Sequence, residues 1–214
     1  PGNGQDDIYA QKDKTWAIFT NNSYAITDAL ELTVGLRYTE DRKDLTSVYR
    51  TTGGSCDQGE AAFPTLVRLA GAATAQTIVG GLCINAQNPD FDRLGPVRQE
   101  RTEKETTGTA KLSYKLSPDI MTYASYSRGY KAGGFNLDRV GRIVVTATGP
   151  NFAANPDTSF APETVDSYEV GAKTKWLDGS LLLNATLFHQ TFKNFQLNAF
   201  QGTAFVVETL PEVI

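Results

Sequence analysis

The side chains best suited to soft-ligand or nucleophilic chemistry in this 214-residue chain are few: Cys56, Cys83 and His189. Two thiols and one imidazole cannot complete the four-ligand set of a Cys/His zinc site from this chain alone. His189 lies in strand-like sequence with no paired nucleophile motif, so it reads as a wall residue and not as a general base. Gly133-Gly134 invites comparison with a phosphate cradle. That chemistry needs a helix opening after the glycines and an acidic residue about twenty positions on. Phe135-Asn136 and a polar loop follow instead, so the glycines read as a strained turn. A net charge of −4 leaves no basic excess to collect phosphates, which excludes nucleic acid as a partner. No catalytic, cofactor or metal site is expected, and the chain is not expected to be an enzyme.

The elements that would position these residues are strands. No charged leader precedes an apolar run, so no signal peptide is expected, and no apolar run reaches the roughly 20 residues of a spanning helix. Mean hydropathy is −0.31, but a membrane β-barrel hides its apolar residues in alternation. Phe 11, Tyr 9, Trp 2 and Gly 19 lean towards β structure. Period two is clear where Leu30, Leu32, Val34, Leu36 and Tyr38 alternate with Glu31, Thr33, Gly35 and Arg37. It returns where Tyr168, Val170, Ala172, Thr174 and Trp176 alternate with Ser167, Glu169, Gly171, Lys173 and Lys175. Strands are predicted near residues 14–26, 30–44, 104–116, 120–131, 164–176 and 181–195, with a seventh descending around 204–209. Tight turns at Ile26 to Ala29, Ser117-Pro118-Asp119 and Leu177 to Ser180 alternate with long excursions over residues 45–100 and 132–162. The small-residue stretch Pro64 to Gly80 predicts a short helix or two within the first excursion.

Short turns at one end and long loops at the other are the asymmetry of transmembrane barrels. Tyr168 and Trp176 stand eight residues apart on the apolar face, and Trp16 and Tyr24 repeat the interval. Eight residues span about 26 Å of strand, or about 20 Å along the membrane normal at a tilt near 40°. That matches aromatic girdles bounding an apolar band. Leu30, Leu32, Val34, Leu36, Tyr168, Val170, Ala172 and Trp176 should then face lipid, and Arg37, Glu169 and Lys173 the concave side. A soluble β-sandwich binding module would instead bury the apolar set against a second sheet.

The segment Tyr123-Ala124-Ser125-Tyr126-Ser127-Arg128-Gly129-Tyr130-Lys131-Ala132-Gly133-Gly134-Phe135-Asn136 closely resembles a barrel-strand signature of TonB-dependent outer-membrane receptors. Its signature positions are Tyr126, Arg128, Gly129, Tyr130, Gly133, Gly134, Phe135 and Asn136. Leu32 to Asp41, Phe160 to Lys173 and Leu183 to Phe188 resemble the same family in matching order, so the resemblance covers most of the chain outside the long loops. It implies an all-β fold: about six to seven antiparallel strands of a larger, 22-stranded barrel. Residues 1–214 would be a partial barrel domain, with 45–100 and 132–162 as extracellular loops and short periplasmic turns. No plug domain, TonB box or terminal aromatic residue is recognisable, which suggests a piece from the middle of the barrel.

The implied function is uptake of a scarce nutrient across the bacterial outer membrane: chiefly a ferric siderophore or other iron complex, alternatively cobalamin, haem or carbohydrate. The implied partners are outer-membrane lipid, the small nutrient, and the TonB complex acting through the plug. A passive porin would share the barrel but not the signature. Tyr123, Tyr126, Arg128 and Lys131 are candidates to line or rim the lumen. Cys56 and Cys83, both in the loop placed outside the cell, are expected to form a disulfide, because that compartment is oxidising.

Overall fold

The computed structural model describes residues 4–48, 50–83, 96–137, 144–146, 149–151, 157–200 and 205–214. Seven long strands form one antiparallel sheet: β1 (Ile8–Ala25), β2 (Leu30–Val48), β3 (Val97–Ser117), β4 (Ile120–Lys131), β5 (Glu163–Trp176), β6 (Leu181–Phe200) and β7 (Phe205–Val213). Each strand pairs with its neighbours in chain order, an up-and-down meander with β1 and β7 as open edges. Between β2 and β3 lie two helices, α1 (Ser55–Ala70) and α2 (Ala72–Cys83).

The tight turns follow from their residues. Thr27 Oγ1 accepts the Leu30 N–H at 3.0 Å, a side chain completing the turn between β1 and β2. Ser117 Oγ accepts from the Asp119 N–H at 3.3 Å in the next. Between β5 and β6, Leu177 and Asp178 have φ of 55° and 54°, and the Gly179 N–H reaches the Trp176 carbonyl at 3.2 Å. Both central residues of this turn therefore lie at positive φ, and the first is a leucine where Asn or Gly is the usual choice.

Two irregularities mark the ladder. The pairing of β3 with β4 shifts between Lys115 and Ser117, a bulge beside the turn. Register is continuous between β6 and β7, yet Asn194 and Pro211 do not pair. Proline offers no N–H there, and Asn194 opposite it adopts φ 52°.

The pleat sorts the side chains. In β2, β3 and β5, Gly35, Thr39, Leu45, Ser47, Val97, Glu103, Ser113 and Ser167 are buried, and all occupy odd positions. Val34, Leu36, Leu112, Tyr114, Tyr168, Val170 and Trp176 are exposed and all occupy even ones. Leu36 is 54 % and Val170 53 % exposed: no second sheet covers this face among the described residues, as a soluble sandwich would require. Leu30, Leu32 and Ala172 share that face but are half-buried by their neighbours. In β6 both faces are apolar near the turn, where Leu182 joins Leu181 and Leu183 in exposure.

Aromatic residues mark two levels on the apolar face. Tyr168 faces Tyr126, which faces Ala110, then Val34, then Asn22. Tyr38 lies four residues outward of Val34 and Trp16 six outward of Asn22, with the Trp16 and Tyr38 rings 5.4 Å apart. Six residues are about 20 Å of strand, gained over four interstrand steps totalling about 19 Å. The outer girdle therefore stays level only if the strands tilt by about 45°, at the upper end of the tilt of outer-membrane barrels. Tyr24, Tyr114 and Trp176 mark the inner level.

Candidate functional site

The signature segment runs up β4 and over the outer rim. On β4, Tyr126 and Arg128 project with Tyr168 from the apolar face, and Tyr123 from the polar one. The Tyr126 and Tyr168 rings lie 5.1 Å apart, and the Tyr126 hydroxyl donates to Asp166 Oδ1 at 2.7 Å. Arg128 Nη1 lies 3.4 Å from each Asp166 oxygen. These groups form a polar cap above the girdle. Of the four side chains considered for the lumen, the pleat assigns Tyr123 and Lys131 to the polar face and turns Tyr126 and Arg128 away from it.

On the polar face Tyr123 lies flat across Gly171 of β5. A Cβ at Gly171 would stand 2.7 Å from Tyr123 Cε1, so only glycine leaves room for the ring. The Tyr123 hydroxyl and Thr186 Oγ1 of β6 share a hydrogen bond of 2.9 Å, and Lys111 Nζ of β3 sits 5.4 Å from the ring centroid. One side chain thus ties four strands. Nearby, the Arg37 guanidinium lies 5.9 Å from the Phe19 ring, so cations and aromatic faces alternate over this wall.

Above the Gly108–Arg128 pair β3 and β4 separate, and the signature fills the gap. Glu103 of β3, buried, accepts the Tyr130 hydroxyl at 2.9 Å and the Gly133 N–H at 3.0 Å, and pairs with Arg101. A Cβ at Gly133 would fall 2.4 Å from the Phe160 carbonyl and 2.5 Å from Glu103 Oε1, which fixes this residue as glycine. Gly134-Phe135 pairs with Ser159-Phe160, and Phe135 is buried. Gln99 accepts the Thr158 N–H at 2.8 Å and donates to Thr158 Oγ1 at 3.0 Å. Gln196 Nε2 donates to the carbonyls of Ala132 and Ala161 at 3.0 and 3.1 Å. Both ends of the second excursion are therefore pinned to the wall.

Asn136 reaches furthest. Its Oδ1 accepts the Val207 N–H at 2.7 Å and its Nδ2 donates to the Val207 carbonyl at 3.1 Å, the pair of bonds a neighbouring strand would make to β7. The next carbonyl, Leu137, accepts from the Tyr9 hydroxyl of β1 at 3.1 Å. Consecutive residues thus hold both edge strands, so the sheet curls until its outer ends converge on the signature. Glu103 and Gln99 meet this segment from the polar face, which is accordingly the concave one.

His189 stands opposite Tyr168 on the apolar face, as part of the wall. Cys56 lies in the first turn of α1 and Cys83 ends α2; their side chains, and with them the expected bridge, lie outside the described residues. Glu103, Gln99 and Gln196 were not singled out by sequence reasoning. Glu103 and Gln99 sit among polar or charged residues, and Gln196 is one more polar position in the alternating run of β6, so nothing local distinguishes them.

A tilted, girdled, up-and-down antiparallel wall with a polar concave face is the architecture of an outer-membrane β-barrel. The family model described as "TonB dependent receptor-like, beta-barrel" matches residues 1–213, and the chain belongs to this family of outer-membrane transport receptors. The fold is similar to that of the ferric yersiniabactin uptake receptor FyuA from Yersinia pestis, with a TM-score of 0.56 and 17% identity over 90% of this chain and 22% of that one. It is also similar to the ferric-catecholate import receptor Fiu from E. coli K12, with TM-score 0.53, 16% identity, and 94% and 24% coverage. The siderophore receptor PiuA from Acinetobacter baumannii gives 0.53, 14%, 92% and 21%. The chain spans under a quarter of the length of each of these receptors.

Proposed function

We propose that this chain is part of the wall of an energy-coupled outer-membrane receptor that takes up a ferric siderophore. The observation that carries the reading is the family match over residues 1–213. The named functions of the structural neighbours, ferric yersiniabactin uptake and ferric-catecholate import, support an iron complex as the solute. In this reading the excursions at 45–100 and 132–162 lie outside the cell and the three tight turns in the periplasm. The concave face, with Arg37, Lys111, Tyr123, Glu169 and Lys173, lines the lumen. Energy would arrive from the TonB complex through a plug outside this chain.

The test is uptake by the full reading frame, expressed in a host lacking its own siderophore receptors, with and without TonB. Accumulation of iron-55 from ferric siderophores that disappears without TonB is the expected result. Solute entry that persists without TonB would refute it in favour of a passive channel. TonB-dependent uptake of cobalamin, haem or a sugar, but not of ferric siderophores, would refute the solute assignment alone.

A further inference from the structure

The helices of the first excursion form an antiparallel hairpin joined by a single residue, Gly71. Phe63, Ala75 and Val79 bury a small core between them, with Leu66 and Val67 packed against it. Towards the open end Gly59 lies against α2: a Cβ there would stand 2.9 Å from Leu82 Cδ1 and 3.6 Å from Val79 Cγ1. The contact positions therefore step through 59, 63, 66 and 67 on α1 and through 75, 79 and 82 on α2. Helical residues three or four apart share a face. Cys56 is three residues before Gly59 and Cys83 four after Val79, so both fall on the facing stripes, at the open end. A disulfide needs Cα atoms within about 7 Å, and a glycine between the helices at this end permits that approach.

We propose that Cys56 and Cys83 form an intramolecular disulfide that closes the open end of this hairpin, making it a covalently bounded module on the receptor's outer surface. The reaction joins two thiols with loss of two protons and two electrons. The electrons pass by thiol–disulfide exchange to a disulfide-carrying oxidoreductase of the envelope, whose own disulfide becomes a dithiol. The hairpin has reason to need the bond. Helices of 16 and 12 residues are marginal alone, α1 has no side-chain cap at its start, and Pro64 interrupts its ladder. The inference rests on the chain's place in the outer membrane and not on the solute carried, so uptake can fail its test while the bridge holds.

The experiment uses the full-length receptor isolated from outer membranes, denatured with an alkylating agent without reductant, digested and weighed. A linked peptide pair containing Cys56 and Cys83, with neither alkylated, is expected. Two alkylated thiols, or either cysteine joined to a different partner, would overturn the proposal. Tryptic cleavage at Arg68, which is exposed in α1, tests the module itself. In the native receptor the nicked pieces should stay joined until reductant is added, and cleavage should accelerate at least fivefold in the double variant Cys56→Ser, Cys83→Ser. Unchanged cleavage would refute the role of the bond in ordering the hairpin.

Discussion

Replacing Gly171 with alanine should release the one side chain that ties four strands together. The added methyl would begin 2.7–2.8 Å from three atoms of the Tyr123 phenol, and ordinary contact requires the ring to rise by about 1 Å. The atoms met are the far end of a flexible side chain, so the phenol will lift without distorting the ladder, and the main losses are its two tip contacts. Breaking the 2.9 Å hydrogen bond to Thr186 costs about 0.5–1.5 kcal/mol. Moving the ring from Lys111 costs about 0.5–1 kcal/mol. The expected loss is therefore about 1–2.5 kcal/mol. The assay is a reversible urea titration of the full receptor in micelles, run as a double-mutant cycle with Tyr123→Phe. In the parent, Tyr123→Phe should cost about 1 kcal/mol; after Gly171→Ala it should cost nothing, because the bond is already lost. Additive effects, within about 0.3 kcal/mol, would refute the claim that Gly171 exists to seat this ring.

Three further outcomes follow from the same structure. Leu177→Asn should raise stability by about 1 kcal/mol in the same titration, since its φ of 55° suits asparagine and strains leucine. Glu103→Ala should leave Arg101 and the Gly133 N–H without their acceptor. A loss of about 2–4 kcal/mol, with faster proteolysis within residues 132–162, is the expected result. The Ser159 hydroxyl and N–H hold the Asp157 carboxyl below its ordinary value of 3.8, helped by the Arg101 charge and opposed by partial burial. A depressed carboxylate stabilises the folded form above its unfolded value, and that contribution is lost as pH falls through the folded one. Protection of the Ser159 amide from hydrogen exchange, corrected for intrinsic rate, should thus be flat from pH 7 to 5 and fall only below 3.8.

How far the sequence was legible depends on which solvent each strand meets. Inside the girdles one face meets lipid, so apolar alternation is explicit, and β4 and β5 emerged within a residue of their expected bounds. Outward of Trp16 and Tyr38 both faces are wet. There the run Asp41-Arg42-Lys43-Asp44 and the stretch from Glu100 to Glu105 carry charge on both faces and no periodicity. β1, β2 and β3 nevertheless extend to Ile8, Val48 and Val97, held by the ladder and by ion pairs such as Arg42–Glu100 and Lys104–Glu40. The helices were shortened in expectation for a similar reason: α1 begins at Ser55 behind a glycine with no capping side chain. Within the candidate site, the signature residues were visible as a motif, whereas their partners were not. Asn136 with Val207 and Tyr9 with Leu137 are 71 and 128 residues apart, and no local pattern announces such contacts.

The Asn136 amide has a consequence for how such a wall is protected while incomplete. An open strand edge is a template: its free N–H and carbonyl groups will accept any passing extended chain. β7 is such an edge, and at Val207 its donor and acceptor are already occupied by a side chain that mimics a backbone in both directions. An intruding strand, or the correct neighbour arriving later, must first evict that amide to dock there in register. The correct neighbour recovers the cost along its whole length. A short adventitious segment has few other bonds to offset it, so a single asparagine works as a selectivity threshold on the edge.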